Sequence, residues 1–192
     1  MEEDNYNYFK QYFPMVITNC ELLMNLINDI LDHQQIIAGR FRITPSVFQF
    51  DELLQQIYSL FQIQCKEKNI QFILKRNKNL TINSDKNRIK QVLINFISNS
   101  IKFTKNGKIQ LKTNLSKDKT LLSISIRDTG SGIPKEVQEK LFQPFSTFDN
   151  MFGNNRNGVG LGLCMCQNLV SQLGPYKKIF LESHIGKGRN RN

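Results

Sequence analysis

Tryptophan is absent from the 192 residues, alanine occurs once (Ala38), and histidine occurs twice, at His33 and His184. Long apolar runs are missing as well: none approaches the roughly 18–20 residues that a membrane-spanning helix needs. The start, Met1-Glu2-Glu3-Asp4, is acidic and lacks the basic-then-apolar pattern of a secretory leader. A soluble, cytoplasmic chain is expected, even if a longer parent is membrane-tethered. The four cysteines (Cys20, Cys65, Cys164, Cys166) show no zinc-ligand spacing. Positions i and i+2 point in different directions on a helix, so Cys164 and Cys166 are expected to be reduced thiols without a metal. Five prolines and 11 glycines are too few for a collagen-like chain, and 40% hydrophobic residues exclude wholesale disorder.

Acidic side chains are scarce after residue 60. Residues 1–60 carry three basic and eight acidic groups, whereas 61–192 carry 23 basic and eight acidic, so the overall charge of +10 resides in the second part. Such a surface favours anionic partners, although solvated lysines account for much of it. No recognition-helix motif or RNP-type aromatic set accompanies the charge, so nucleic acid is not an expected partner.

What is present is helical and strand periodicity. Over residues 13–38, Val16, Cys20, Leu23, Ile27, Ile30 and Leu31 recur at threes and fours, an amphipathic helix that Gly39 ends. Its stripe has no partner nearby, so it is expected to pair with another helix. Residues 40–50 read as a connector. Asp51 is the expected N-cap of a second helix carrying Leu53, Leu54, Ile57, Leu60 and Phe61. Residues 70–76 read as a strand. Asp85 caps a helix bearing Ile89, Val92, Leu93, Phe96, Ile97 and Ser100 and running through Phe103. After the turn signal Asn106-Gly107 come strands at Lys108–Leu115 and Leu121–Arg127, the second with Leu122, Ile124 and Ile126 inward. Pro134 opens a short helix ending near Phe142, residues 143–159 are polar, Leu161–Leu173 is an apolar helix, and Lys178–Glu182 a short strand. Without regular βαβ alternation, the order fits an α+β sandwich.

Four segments carry chemistry. Asn95 and Asn99 stand i,i+4 on one helix, with Lys102 a turn further; amide oxygens suit a hard cation such as Mg²⁺ and a lysine suits phosphate. Surface amides in a chain with 21 asparagines are the plainer alternative. Asp128-Thr-Gly130-Ser-Gly132-Ile133 follows a strand, where a carboxylate can accept from an exocyclic amine and glycines admit a ligand closely; a plain tight turn is the alternative. Leu141-Phe142-Gln-Pro144-Phe145 offers an aromatic latch or simply core. Gly158-Val159-Gly160-Leu161-Gly162-Leu163 opens a helix after a polar loop and suits phosphate, or serves only as a hinge.

In this order and spacing, the four segments resemble the N, G1, F and G2 boxes of sensor histidine kinases. These belong to the wider superfamily of gyrase-type topoisomerases, heat-shock chaperones and mismatch-repair ATPases. The resemblance spans about residues 15–188 and implies a Bergerat-type two-layer α/β sandwich, a mixed sheet with helices on one face. It implies Asn99 as the Mg²⁺ ligand, Asn95 and Lys102 as phosphate-side catalytic contacts, and Asp128 as the adenine reader above Gly130, Gly132 and Ile133. Phe142 and Phe145 match the F box, and residues 143–157 the lid over ATP, with Arg156 in it. Gly158, Val159, Gly160, Leu161, Gly162 and Leu163 form the hinge and phosphate-facing turn. Asn28-Asp-Ile-Leu-Asp32 before Gly39 resembles the second helix of the dimerisation and phosphotransfer hairpin.

The same resemblance divides the chain into a partial hairpin (1–40), a connector (41–50) and an ATP-binding domain (51–192). The expected phosphoacceptor motif is missing. Residues 1–14 hold no histidine, and His33 is followed by Gln34-Gln35 rather than an acidic residue. The acceptor is therefore expected in another chain. Arg189-Asn-Arg-Asn192 replaces the apolar residues of the family's last strand, so a fragment or a reduced relative is expected. Two activities follow: a kinase module that passes the γ-phosphate of ATP to a histidine elsewhere, or an incomplete nucleotide-binding or dimerisation module that regulates an intact kinase. The partners implied are a second protomer through the N-terminal helix (another copy or a full-length kinase), a histidine-bearing helix and a receiver domain.

Overall fold

The computed structural model describes residues 30–77, 79–144, 160–176 and 178–185, with Cys20, Leu23, Met24, Ile27 and Asn28 ahead of them. Helix α1 runs through residues 30–37 and ends as its sequence predicts. Gly39 takes φ +65°, a conformation costly to any residue with a Cβ, and its N–H reaches the Ile36 carbonyl at 3.0 Å. The stripe of Leu23, Ile27, Ile30 and Leu31 is exposed.

Strand β1 (Ser46–Gln49) leads directly into helix α2 (Phe50–Glu67). Strands β2 (Ile70–Lys75) and β3 (Thr81–Ser84) precede helix α3 (Lys86–Phe103), and strands β4 (Gly107–Leu115) and β5 (Leu122–Asp128) follow it. Helix α4 (Lys135–Gln138) and helix α5 (Gly162–Leu173) complete the described elements. β2, β4 and β5 form a sheet in that order, β2 parallel to β4 and β4 antiparallel to β5, while β1 pairs antiparallel with β3.

The layers follow from periodicity. Phe50, Leu53, Leu54 and Ile57 of α2 are fully buried, with Leu93, Ile97 and Ile101 of α3 against Ile109 and Leu111 of β4. Each such side chain contributes roughly 1.5–3 kcal/mol on leaving water. Alternate β4 residues face this core, with Lys108 exposed on the other side, so α2 and α3 cover one face of a mixed sheet. The expected α+β sandwich is the fold observed. α3 is held from its other side as well: Val92 packs with Cys166 and Leu169 of α5, and Phe41 and Ile179 join them.

The cap of α3 is as predicted. Asp85 accepts from the N–H groups of Asn87 and Arg88, both at 3.1 Å, on Oδ1, and its Oδ2 accepts from the Thr44 N–H at 2.9 Å. One side chain thus closes the helix and fastens the preceding segment to it.

Several expectations are corrected. Asp51 is not the N-cap of α2 but lies in its first turn, because Phe50 is drawn into the core and its N–H is bonded to the Leu80 carbonyl at 2.8 Å. The connector ends in strand β1, and its partner β3 was not foreseen. Within β5, Leu122 and Ile126 face the core, but Ile124 is 36% exposed. The helix after Pro134 is only Lys135–Gln138, with turns carrying the chain past Phe142. Lys178–Glu182 forms no strand among its described residues. The segment instead holds other groups: Gln167 Oε1 accepts from the Ile179 N–H, and Ser183 Oγ accepts from the Ile133 N–H at 2.9 Å.

Candidate functional site

Helix α3 is the spine of the site. Near its middle, Asn99 Nδ2 donates to Asn95 Oδ1 at 3.0 Å, the contact that i,i+4 spacing makes available. This bond uses Asn99's amino group, so its carbonyl oxygen is the atom it offers a cation. The Asn95 amide lies against the start of α5. A Cβ added to Gly162 would meet Asn95 Nδ2 at 2.5 Å and Oδ1 at 2.8 Å. A methyl at Gly162 would have to displace the Asn95 amide, so α3 and the N-terminal turn of α5 close on each other there. Gly160 precedes that turn at φ +74°, and buried Leu161 accepts the Met165 N–H at 2.8 Å. Leu163 is half-buried on the same turn.

Five residues beyond Asn95, Ser100 faces the end of β5. Its Oγ donates to Asp128 Oδ2 at 3.2 Å, while Asp128 Oδ1 accepts the Gly130 N–H at 2.9 Å. Gly130 sits so close to the Phe103 carbonyl that a Cβ would approach it to 2.9 Å. Gly132, at φ +75°, backs onto the His184 carbonyl, and Gln138 Nε2 bonds both the Ile133 and Ser183 carbonyls. The loop after β5 is thus clamped between α3 and residues 183–184. Lys102 is exposed on the last turn of α3, with Nζ 5.3 Å from the Phe103 ring centre.

Of the residues expected from sequence, α3 brings Asn95 and Asn99 together against Gly162, and Asp128 to Gly130 and Ser100. Phe142 is half-buried beyond α4, next to buried Leu141. Phe145, Gly158, Val159 and Arg156 lie outside the described residues, as does the lid beyond Pro144.

Sequence reasoning assigned no role to Ser100 or Ser183. Ser100 had a legible signal: it falls on the buried stripe of α3 with Leu93 and Ile97, where a hydroxyl needs a partner. The cysteines take no part. None of those in the described residues is in a disulfide, and burial pushes the thiols of Cys164 and Cys65 up, the latter against a lowering influence of Lys68.

A strand-end carboxylate, a loop clamped on glycines, and a paired amide face opposite a glycine-opened helix are thus gathered along α3. The chain belongs to the histidine kinase-, DNA gyrase B- and HSP90-like ATPase family, whose model matches residues 84–190. Within that family, its relatives mark it as a sensor histidine kinase ATP-binding catalytic domain. The autoinducer 2 sensor kinase/phosphatase LuxQ of Vibrio vulnificus is 34% identical over 174 residues, 88% of this chain and 20% of LuxQ. Among solved structures, full-length ShkA in complex with AMPPNP is similar at TM-score 0.67 and 25% identity, over 85% of this chain and 33% of ShkA. The histidine kinase ThkA in complex with the response regulator TrrA is similar at TM-score 0.59 and 29% identity, over 84% of this chain and 44% of that one. The chain thus spans about a fifth of the length of curated relatives such as LuxQ.

Proposed function

We propose that this chain is the ATP-binding kinase module of a two-component phosphorelay, passing the γ-phosphate of ATP to a histidine supplied by another chain. Residues 1–40 are assigned as the second helix of a dimerisation hairpin and the part from β1 onward as the catalytic domain. Asp128 accepts from the adenine amine, with Gly130, Gly132 and Ile133 forming the floor beneath the base. Asn95 and Lys102 contact the phosphates, Asn99 ligates Mg²⁺, and Gly158 to Leu163 supply the turn that faces the phosphates. Mg²⁺, when bound, neutralises phosphate charge. The protein's own task is to hold and orient, since phosphoryl transfer asks little covalent chemistry of it.

The observation that supports this reading best is the double engagement of α3. Its Asn95–Asn99 pair meets Gly162, and its Ser100 meets Asp128. The two contacts are five residues apart, about 7.5 Å along the axis. One rigid helix therefore serves the phosphate end and the base end together. The AMPPNP bound to ShkA supports a nucleotide as ligand, and the ThkA–TrrA complex supports a receiver domain as a downstream partner. No helix among the described residues is long and apolar enough to cross a membrane, and we assign the module to the cytoplasm.

The test is a calorimetric ATP titration of the 192-residue chain with Mg²⁺, beside Asp128→Ala. Saturable binding in the parent and none in a folded variant is the expected result, followed by phosphotransfer to a supplied histidine-bearing helix bundle. Equal affinity in both proteins would defeat the adenine assignment. Binding without any transfer would point to the regulatory role instead.

A further inference from the structure

We infer that Ser100 is a positioning residue for base recognition: it fixes the Asp128 carboxylate so that the site selects a purine bearing a 6-amino group. The inference rests on the reading of Asp128 as the base contact. Ser100 is only 7% exposed, on the stripe of α3 that otherwise carries apolar side chains. A buried hydroxyl is costly unless bonded, and in a helix it commonly folds back onto the carbonyl a turn earlier. Here it is given to Asp128 Oδ2 at 3.2 Å, across 28 residues of sequence.

The consequence lies in what the carboxylate has left to offer. Asp128 is exposed and at the end of a strand, so nothing in its own backbone fixes the rotation of its carboxylate. Two donors do so: the α3 hydroxyl on Oδ2 and the Gly130 N–H on Oδ1. Each oxygen has two lone pairs, so each keeps an acceptor site after its bond is made. A carboxylate held in this way presents acceptors only. It matches the hydrogens of a 6-amino group and opposes a carbonyl oxygen in the same position, so an adenine-type base is accepted and a guanine-type base is refused. A site built to hydrogen-bond a donor discriminates strongly against a ligand that lacks it.

The test uses the full chain with three nucleotides: ATP, GTP, and purine riboside triphosphate, which lacks the amine. Ser100→Ala should weaken ATP about tenfold and purine riboside triphosphate less than about twofold, the loss of one hydrogen bond acting only through the amine. The preference for ATP over GTP should narrow by a similar factor, with the melting temperature unchanged. Equal weakening of ATP and purine riboside triphosphate would make the serine merely structural and overturn the inference, as would an unchanged ATP affinity. Asp128→Ala separates the two readings. If it abolishes ATP binding while Ser100→Ala does nothing, only the serine's role falls; if it leaves ATP binding intact, the base assignment falls and the serine's role falls with it.

Discussion

Asp32 Oδ2 lies 2.5 Å from Arg88 Nη1, an ion pair that joins α1 to the first turn of α3 across 56 residues of sequence. Gln91 completes the contact, donating to the same carboxylate oxygen at 3.1 Å and accepting from Arg88 at 3.0 Å. The guanidinium also covers the Phe41 ring at 4.8 Å, and Phe41 in turn packs with Val92 and Leu169. The exposed N-terminal helix is therefore fastened through Asp32, by the same helix that carries the candidate site.

Arg88→Ala should loosen that fastening. Asp32 is 7% exposed, so its carboxylate would keep only Gln91 or draw α1 away into water. A loss of about 1–3 kcal/mol in urea unfolding is expected for a buried charged group that loses its partner. Amide exchange should quicken across residues 33–41 while the β2-β4-β5 sheet stays protected. Arg88→Lys should recover little, since an ammonium cannot reproduce the fork and the ring contact together. Unchanged exchange in Arg88→Ala would mean that the Phe41 packing alone holds α1.

Much of this was legible in the sequence, and the reasons are local. α3 was readable because Asp85 is a strong N-cap and the apolar stripe repeats over five turns. The β4–β5 hairpin was readable because its strands are long enough to show a period of two. β1 and β3 have four residues each, too few to show a period, and they exist because Ser46 to Gln49 find Ser84 to Thr81 in space. Lys178–Glu182 misled because Ile179, Phe180 and Leu181 read as strand formers, yet no strand among the described residues pairs with them. In the site, the asparagine pair and Asp128 were visible as motifs. The Asp32–Arg88 pair was not, because nothing in either neighbourhood points to the other.

Asn99→Ala separates a metal role from a structural one. The Asn95 amide would lose the donor at 3.0 Å, but Asn99 is only half-buried, so the fold should tolerate the change. ATP affinity in Mg²⁺ should fall by about tenfold or more, the worth of a lost charge-assisted contact. Affinity in EDTA should change much less. Titrations under both conditions check this, and equal losses would make Asn99 a purely structural partner of Asn95.

Asp118 gives a pH-dependent prediction away from the site. In the β4–β5 turn, its carboxylate accepts from the Ser116 hydroxyl, and from the Thr120 hydroxyl at 2.8 Å and N–H at 3.2 Å. These bonds, with the Ser116 hydroxyl first, hold its pKa below the ordinary aspartate value. A depressed native pKa stabilises the turn above the unfolded pKa, and that contribution is lost as the pH falls through the native one. Carboxyl carbon shifts followed by NMR should place the Asp118 midpoint below that of an unstructured peptide. Ser116→Ala should raise it, and an unmoved midpoint would show that the Ser116 bond does not hold the carboxylate in solution.

Two glycines of the expected set should behave in opposite ways when replaced by alanine. Gly132 has φ +75° and its missing Cβ would run into the His184 backbone, so Gly132→Ala strains the loop itself. It should cost more than about 1 kcal/mol in stability, and nucleotide binding with it. Gly162 has an ordinary helical backbone, and what a methyl would meet is the end of the Asn95 side chain. That amide can turn aside cheaply, and replacing glycine by alanine where the backbone suits both stabilises by about 0.4–1 kcal/mol. Gly162→Ala should therefore leave the melting temperature level or higher while separating Asn95 from Asn99. Its ATP affinity should nonetheless drop by about tenfold or more, as for loss of a charge-assisted contact. Paired melting curves and ATP titrations of the two variants decide the matter. If Gly162→Ala binds ATP as the parent does, the face shared by α3 and α5 is not where the phosphates lie.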